Sequence, residues 1–110
     1  MEQALLVITN LADTASAQQL ARALVEQRLA ACVNMLPAVH SIYRWEGAVE
    51  EAAEVTLLIK TTTARYPALE QAIVALHPYE LPEIIAVPVS AGLPAYLGWI
   101  ARETRKEIDV

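Results

Sequence analysis

The β-rich stretch between Ala31 and Thr62 constrains this chain most, because its two arms predict one unusually long hairpin. Glu46 and Gly47 separate the arms, and glycine supplies the backbone freedom that a tight turn requires. Arms of about 14 residues at roughly 3.3 Å per residue would reach on the order of 45 Å. A compact domain of this size cannot cover that length with its own helices. We therefore expect another copy of the chain to cover the far end, which carries Tyr43 and Trp45.

Ahead of the hairpin, the sequence predicts one strand and one helix. The apolar run Ala4–Thr9 suits a short central strand that is buried on both faces, and residues 10–13 are expected to end it. Apolar residues then recur at helical spacing as far as Leu29. Three residues can cap this helix: Asp13, Thr14 and Ser16.

Prolines delimit the elements in the second half of the chain. Pro67 is tolerated in the first turn of a second helix, and Pro78 forbids the continuation of that helix. The β-branched run Ile84–Val89 predicts a strand in which Pro88 lies at an end or on an edge, because proline donates no ladder hydrogen bond. Pro94 can open a third helix.

The predicted order is βαββαβ followed by a C-terminal helix, in which residues from Arg102 onward form a solvated end. With right-handed crossovers this order gives an α+β, ferredoxin-like fold with a four-stranded antiparallel sheet. Two helices can cover only one face of that sheet. Because three of the strands are apolar on both faces, we expect the third helix and neighbouring subunits to bury the other face. The sequence thus predicts a homo-oligomer.

Composition limits the classes of function. The 110 residues suffice for one domain, residues 1–110, and a net charge of −5 opposes binding to nucleic acid. No stretch approaches the ~18 apolar residues of a membrane helix, and the first residues lack the features of a secretion signal, so we expect a cytoplasmic protein with no membrane partner. The single cysteine, Cys32, excludes an internal disulfide and a multi-cysteine zinc site.

The segment LHPYELPEIIAVPV, residues 76–89, is the main candidate for a site. His77 with Glu80 and Glu83 offers one nitrogen and two carboxylates, a set that copper or zinc can accept. The alternative is structural, because Pro78 and Pro82 extend the backbone and the acids need not converge on the imidazole. A histidine at a helix end also commonly donates to the last carbonyls of that helix. The residues leave both interpretations open.

Lys60 is the second candidate. It ends an apolar strand and precedes Thr61–Thr63, which we expect to cap the next helix. Its ammonium suits either an ion pair across a subunit interface with Glu54, Glu80 or Glu83, or a contact with the phosphate or carboxylate of a ligand.

The remaining candidates have packing as their first interpretation. Cys32 is expected to be a small buried hydrophobe, since nothing beside it in sequence would activate a thiol. His40, in a polar break after Pro37, is expected at the surface or in an interface. Three aromatic residues combine a large apolar body with one polar atom, as is typical of interfaces and ligand pockets: Tyr43, Trp45 and Tyr79. We expect no enzymatic activity, because no nucleophile–base pair or nucleotide-binding motif is present.

Five blocks of the sequence resemble, in order and spacing, those of the CutA divalent-cation tolerance proteins: LAACVNMLP, SIYRWEG, EVTLLIKTT, LHPYELPEII and YLGWI. The resemblance implies a ferredoxin-like subunit and a homotrimer in which long hairpins wrap neighbouring subunits, similar in architecture to the PII signalling proteins. It also implies a part in tolerance of copper and other divalent cations.

The resemblance also implies site residues. Members with a proposed copper site use a cysteine that closes the first strand and two consecutive histidines before the Pro-Tyr; Thr9 and Leu76 occupy two of those positions here, and only His77 remains. His77 is therefore the implied metal ligand. The implied cleft or interface residues are Cys32, Tyr43, Trp45, Lys60, Tyr79 and Glu83.

Three hypotheses follow. The first is a trimer that weakly binds divalent cations, copper first, through His77 and carboxylates of the same or a neighbouring subunit. The second is a PII-like sensor that binds a small anionic or nucleotide ligand in the cleft between subunits, near Lys60, Trp45 and Tyr79. The third is a purely structural stable trimer.

Overall fold

The computed structural model describes residues 2–106, which form four strands and three helices. In chain order these are β1 (Ala4–Leu11), α1 (Thr14–Glu26), β2 (Cys32–Trp45), β3 (Ala48–Thr62), α2 (Tyr66–Leu76), β4 (Ile85–Pro88) and α3 (Pro94–Glu103). The strands form one antiparallel sheet in the order β2-β3-β1-β4. The predicted ferredoxin-like α+β fold with a terminal helix is confirmed.

The long hairpin is present with its turn at the predicted place. β2 has 14 residues and β3 has 15, and the described residues extend 50 Å along their longest axis. Glu46 and Gly47 have φ angles of 48° and 83°, so both adopt the left-handed conformation that a two-residue type I′ turn requires. Trp45 pairs with Ala48 directly beside the turn, at the far end of the hairpin.

A bulge divides β2 into two parts. The pairing with β3 shifts between Leu36 and Val39, and Ala38 lies in the bulge with a φ of 61°. Because β2 is an edge strand, the missing N–H of Pro37 costs no ladder bond to a further strand. The pairing resumes at Val39, so His40 lies within β2 and not in a loop. Its exposed Nε2 is 2.9 Å from Glu51 Oε1.

One face of the sheet carries the hydrophobic core. Alternate residues of β1 and β3, such as Val7, Leu57 and Ile59, are fully buried beneath α1 and α2. The helices contribute one buried stripe each, formed by Ala17, Leu20, Leu24, Leu69 and Ile73. Side chains alternate across a strand, so the residues between these point to the opposite face. Burial on the helix side alone fixes the register of the central strands.

The opposite face is apolar but only partly covered. Ile8 lies directly between Leu58 and Ile85 in the strand pairing, and Leu6 pairs with Val87. Ile85 and Val87 are exposed, and the other three are half-buried. The expectation that β1 and β4 are buried on both faces is therefore not met within the described part of one chain.

α3 covers one end of this opposite face. It lies against β1 and β3, and its Ile100 is buried, as is the strand pair Ala4 and Thr62. The predicted solvated end from Arg102 onward is exposed at Arg102, Arg105 and Lys106, but the prediction was wrong for Thr104, which is buried with its Oγ1 donating to Ile100 O at 2.8 Å. Its first residues also belong to α3, which continues to Glu103. The rest of that predicted end, residues 107–110, lies outside the described residues.

Asp13 caps α1, and Pro67 opens α2, as predicted. The Asp13 carboxylate accepts a hydrogen bond from Ser16 N at 2.7 Å, and this contact lowers the pKa of Asp13. The predicted threonine cap of α2 was wrong. Thr61 Oγ1 donates to Leu29 O at 2.7 Å and Thr63 Oγ1 to Glu2 Oε1 at 3.2 Å, so both hydroxyls stabilise other segments.

Candidate functional site

His77 joins the end of α2 to β1. The residue is 7% exposed, and its Nδ1 accepts a hydrogen bond from the backbone N–H of Tyr79 at 3.1 Å. Its Nε2 lies 2.7 Å from Asn10 O. Because a carbonyl oxygen only accepts, Nε2 carries the proton, and both ring nitrogens are used within the chain. The ring thus donates to β1 and not, as the structural interpretation expected, to the last carbonyls of its own helix.

Asn10 is the residue on which the surrounding contacts converge. Its Oδ1 accepts from Thr56 Oγ1 at 2.6 Å, and its Nδ2 donates to Glu83 Oε1 at 3.0 Å. Its backbone oxygen is the acceptor for His77. The contacts of the Asn10 side chain were not predicted from the sequence, because Asn10 was expected to break β1. Asn10 instead pairs with Thr56, and β1 continues to Leu11. The only sequence signal for these contacts was the position of a polar residue directly after an apolar run.

Tyr79 extends the same set of contacts to β3. Its hydroxyl donates to Glu54 Oε2 at 2.8 Å, and Glu54 is a carboxylate with only 9% of its surface exposed. Burial of the phenol, followed by the hydrogen bond to Glu54 and the charge of Glu54, raises the pKa of Tyr79 well above its usual range. The ring packs edge-on against His77 with 4.7 Å between centroids. The phenol therefore stays neutral and donates.

We call these contacting residues the corner network; its members are Asn10, Glu54, Thr56, His77, Tyr79 and Glu83. It connects β1, β3 and the end of α2 to the segment before β4. Glu83 faces Asn10 and not the imidazole, whereas Glu80 is exposed. The two acids thus do not converge on His77, in agreement with the structural interpretation of the segment.

A second polar group lies on the opposite face, where Cys32 and Lys60 are direct strand partners. Lys60 Nζ is 3.9 Å from Cys32 Sγ and donates to Asn34 Oδ1. Cys32 is half-buried, not fully buried as predicted. Partial loss of hydration, followed by the charge of the nearby Cys32 and a hydrogen bond with it, raises the pKa of Tyr96. The strand pairing brings this lysine to the cysteine, which no local sequence pattern indicated.

Lys60 has no carboxylate partner in the described part of the chain. Within the described chain Lys60 donates to Asn34, while Glu54 accepts from Tyr79 and Glu83 from Asn10. The interface ion pairs predicted with Glu54, Glu80 or Glu83 stay a prediction, because they would join two subunits. An ammonium on a half-buried, largely apolar face therefore has only neutral neighbours there.

Tyr43 and Trp45 lie apart from Lys60, on the bulged half of β2. Both are exposed in the described chain. Tyr43 is close enough to Tyr79 to contribute to the raised pKa of that phenol. Lys60 and Cys32 instead pair at the start of β2, on the other side of the bulge. The predicted cleft residues are not brought together by one chain.

The donor set around His77 does not resemble a metal centre. No three histidine, cysteine, aspartate or glutamate residues among residues 2–106 are grouped closely enough to hold a metal ion. Thr9, at the position of the implied cysteine ligand, is fully buried, and its hydroxyl has no hydrogen-bond partner in the described structure. A neutral hydroxyl is a poor substitute for a thiolate toward copper. A metal at His77 would have to replace one of its two hydrogen bonds.

The helices of the described residues are each too short or too polar to span a membrane. The fold and the corner network together define the class: a small ferredoxin-like α+β protein with a long hairpin, an uncovered apolar sheet face and a hydrogen-bonded His-Pro-Tyr corner.

Comparison with known proteins places the chain within this class. Residues 5–103 match the family model of the CutA1 divalent ion tolerance protein. The divalent-cation tolerance protein CutA of Thermus thermophilus is 52% identical over 88 residues, which are 80% of this chain and 85% of that protein. Protein CutA of Mus musculus is 50% identical over 88 residues, but the chain spans only 50% of its length.

A solved structure agrees with these relatives. The crystal structure of CutA1 from Oryza sativa superposes with a TM-score of 0.92 at 36% identity, covering 96% of this chain and 97% of that one. The chain belongs to the CutA1 divalent ion tolerance family, and the resemblance seen in its five sequence blocks is confirmed.

Proposed function

We propose that this protein acts, without catalysis, in tolerance of divalent cations as a cytoplasmic homotrimer that binds those cations weakly. The observation that supports the trimer is that the opposite face of the sheet is apolar and only partly covered. Ile8, Leu58 and Ile85 form an apolar row that the chain's own helices leave open. Soluble monomers rarely expose a contiguous apolar surface of this kind, and a second and third copy of the chain would close it.

The hairpin supports the same assembly. Its far half carries Ile42, Tyr43, Trp45 and Val49 as exposed apolar or aromatic side chains. The strands of this half extend beyond the end of β1, at the pairing of Leu11 with Val55, and residues 42–51 are all exposed. Large apolar side chains at such a position are typical of contacts between subunits.

Weak cation binding is proposed on carboxylates. Glu80 is exposed beside the corner network and Glu83 is exposed within it, and Glu46, Glu50 and Glu51 are exposed near the hairpin turn, where Glu51 contacts His40. Exposed carboxylates that are not grouped together give weak sites, and the general affinity order of divalent metals puts copper first. His77 can join such a site only by giving up a hydrogen bond.

Calorimetric titration of metal-free protein with Cu(II) and Zn(II), with light scattering on the same samples, tests the proposal. We expect a mass of three chains and weak binding of both metals, copper more tightly than zinc. A trimer that binds neither metal would remove the cation part of the proposal, and a monomer would remove the assembly.

Lys60 favours a second candidate function, the binding of a small anionic or nucleotide ligand between subunits. Its ammonium lacks a carboxylate in the described chain and lies beside the side-chain amide of Asn34 and the thiol of Cys32. An anion would compensate this charge. A ligand that stabilises the wild type at millimolar concentration in a thermal-shift assay, but not Lys60→Met, would support this function. No stabilisation by any anion tested would exclude it.

A further inference from the structure

We propose that His77 is a positioning residue in this protein and not a ligand for a divalent cation. Its imidazole fixes the segment between α2 and β4 against the end of β1, and this contact sets the position of the Tyr79 hydroxyl. Only the statement that His77 does not bind the cation rests on the proposed function, because the positioning role exists in the metal-free protein.

The hydrogen bonds of the imidazole carry the inference. Nδ1 accepts from Tyr79 N at 3.1 Å and Nε2 donates to Asn10 O at 2.7 Å, on a residue that is 7% exposed. Each ring nitrogen has one in-plane site, and both sites are filled by backbone groups. Metal binding at Nε2 would displace its proton and remove this donor from the carbonyl of the half-buried Asn10, and metal binding at Nδ1 would displace the N–H of Tyr79. Either loss of a hydrogen bond is costly where water does not replace it.

The chemistry of the surroundings points the same way. Thr9, which precedes Asn10 on β1, has a neutral hydroxyl, and Leu76 precedes His77 with an exposed apolar side chain. A metal-bound histidine usually donates from one ring nitrogen to an outer partner and binds the metal with the other. His77 donates from Nε2 to Asn10 O in the same way, but its Nδ1 already accepts from Tyr79 N, so neither nitrogen is left for a metal.

The consequence of this contact extends to β3. The bond to Tyr79 N holds the backbone directly before the phenol, and the Tyr79 hydroxyl then reaches Glu54 at 2.8 Å. The edge-on packing of the two rings fixes the same geometry. His77 thereby acts through Tyr79 on a buried carboxylate, without touching any ligand itself.

Nitrogen-detected NMR of ¹⁵N-histidine-labelled protein, with added Zn(II), tests the inference. His40 is the internal control, since its Nε2 contacts only the exposed Glu51 side chain. We expect the Nε2-protonated tautomer for His77 in the metal-free protein and no change of its signals with Zn(II), while His40 signals can shift. The other tautomer, or stoichiometric shifts of the His77 nitrogens with Zn(II), would overturn the inference.

Two variants give a second readout. His77→Gln keeps an amide that can donate toward Asn10 O, whereas His77→Ala removes the donor. We expect His77→Gln to retain more thermal stability than His77→Ala. We also expect its Cu(II) affinity to change by no more than about twofold, whereas a lost ligand costs at least about 10-fold. A folded His77→Gln that loses copper binding would contradict the inference. If the wild type binds no metal, the proposed function fails, and the tautomer alone decides the role of His77.

Discussion

The two faces of the sheet are built from the same strands and similar residues, yet only one is closed by the chain itself. On β3, Leu57 is fully buried beneath α1 and α2, while its neighbour Leu58 on the opposite face is half-buried. Both leucines belong to the same ladder, in which Leu57 pairs with Thr9 of β1 and Leu58 pairs with Ile8. The difference teaches that an apolar pattern on both faces of a strand does not specify a two-sided core within one subunit; in this protein it indicates assembly.

The helix-covered face should show the largest effect of substitution. We expect Leu57→Ala to lower the free energy of unfolding by about 2–5 kcal/mol, because it leaves a cavity that the packed helices cannot fill. Denaturant titration below the concentration at which the variant assembles measures this loss. An equally large loss for Leu58→Ala in the same monomeric state would show that the two faces do not differ.

The opposite face should respond through assembly. We expect Leu58→Asp to dissociate the oligomer at micromolar concentration while the subunit keeps its secondary structure, since an unpaired charge would have to be buried between copies. Light scattering measures the mass and circular dichroism the fold. Lys106→Asp, which places the same charge on an exposed residue, is the control and should leave the mass unchanged. An intact oligomer of Leu58→Asp would refute the closure of this face by other copies.

The corner network connects the helix-covered layer to β3 at the end of β1, and Tyr79→Phe should weaken that connection. Loss of the hydrogen bond leaves Glu54 buried without its donor, and we expect about 1–3 kcal/mol of destabilisation. Tyr66→Phe is a matched control, since its phenol donates at 3.0 Å to the carboxylate of the exposed Glu70, and we expect a loss of less than about 0.5 kcal/mol. Equal effects of the two substitutions would remove the energetic role of the Tyr79 contact.

The raised pKa of Tyr79 predicts a dependence on alkaline pH. The phenol of the unfolded chain loses its proton near pH 10, whereas burial and Glu54 keep it protonated in the folded state. Above that pH the folded state holds more protons than the unfolded state, so the free energy of unfolding falls as pH rises. We expect a steeper fall for the wild type than for Tyr79→Phe in denaturant titrations from about pH 9 to 11. Parallel curves would contradict the shift.

The smallest expected effect concerns the cap of α1 in the helical layer. Hydrogen bonding from Ser16 lowers the pKa of Asp13 below its ordinary value of 3.8, so the charged carboxylate stabilises the folded state above that value. This stabilisation is lost as pH falls through the folded pKa. We expect Asp13→Asn to keep most of the cap and to remove this part of the acid dependence, as followed by thermal unfolding from about pH 6 to 3. An unchanged acid dependence would exclude the contribution.

The sequence predicted the parts of the fold that depend on local rules. Glu46 and Gly47 set the hairpin turn, Pro67 and Pro78 bound α2, and Asp13 caps α1. Each of these follows from backbone conformation or from the absence of an N–H group, which neighbouring residues decide. The long hairpin and the uncovered face were therefore predictable before any tertiary contact was known.

The candidate site depends on contacts between distant segments, and there the sequence was a weaker guide. Asn10 was expected to end β1, yet the hydroxyl of Thr56 and the carboxylate of Glu83 make it the centre of the corner network. Lys60 reaches Cys32 only because strand pairing places the two residues opposite each other. The role of His77 as a metal ligand stays a prediction from resemblance, while its two hydrogen bonds favour the positioning role.

The most direct test of the account is native mass spectrometry of the metal-free protein, because closure of the opposite face by other copies is its central claim. We predict a single species of three chains that persists at low micromolar concentration and is lost in Leu58→Asp. A folded monomer at the same concentration would contradict the account, since the row formed by Ile8, Leu58 and Ile85 would then remain open to water.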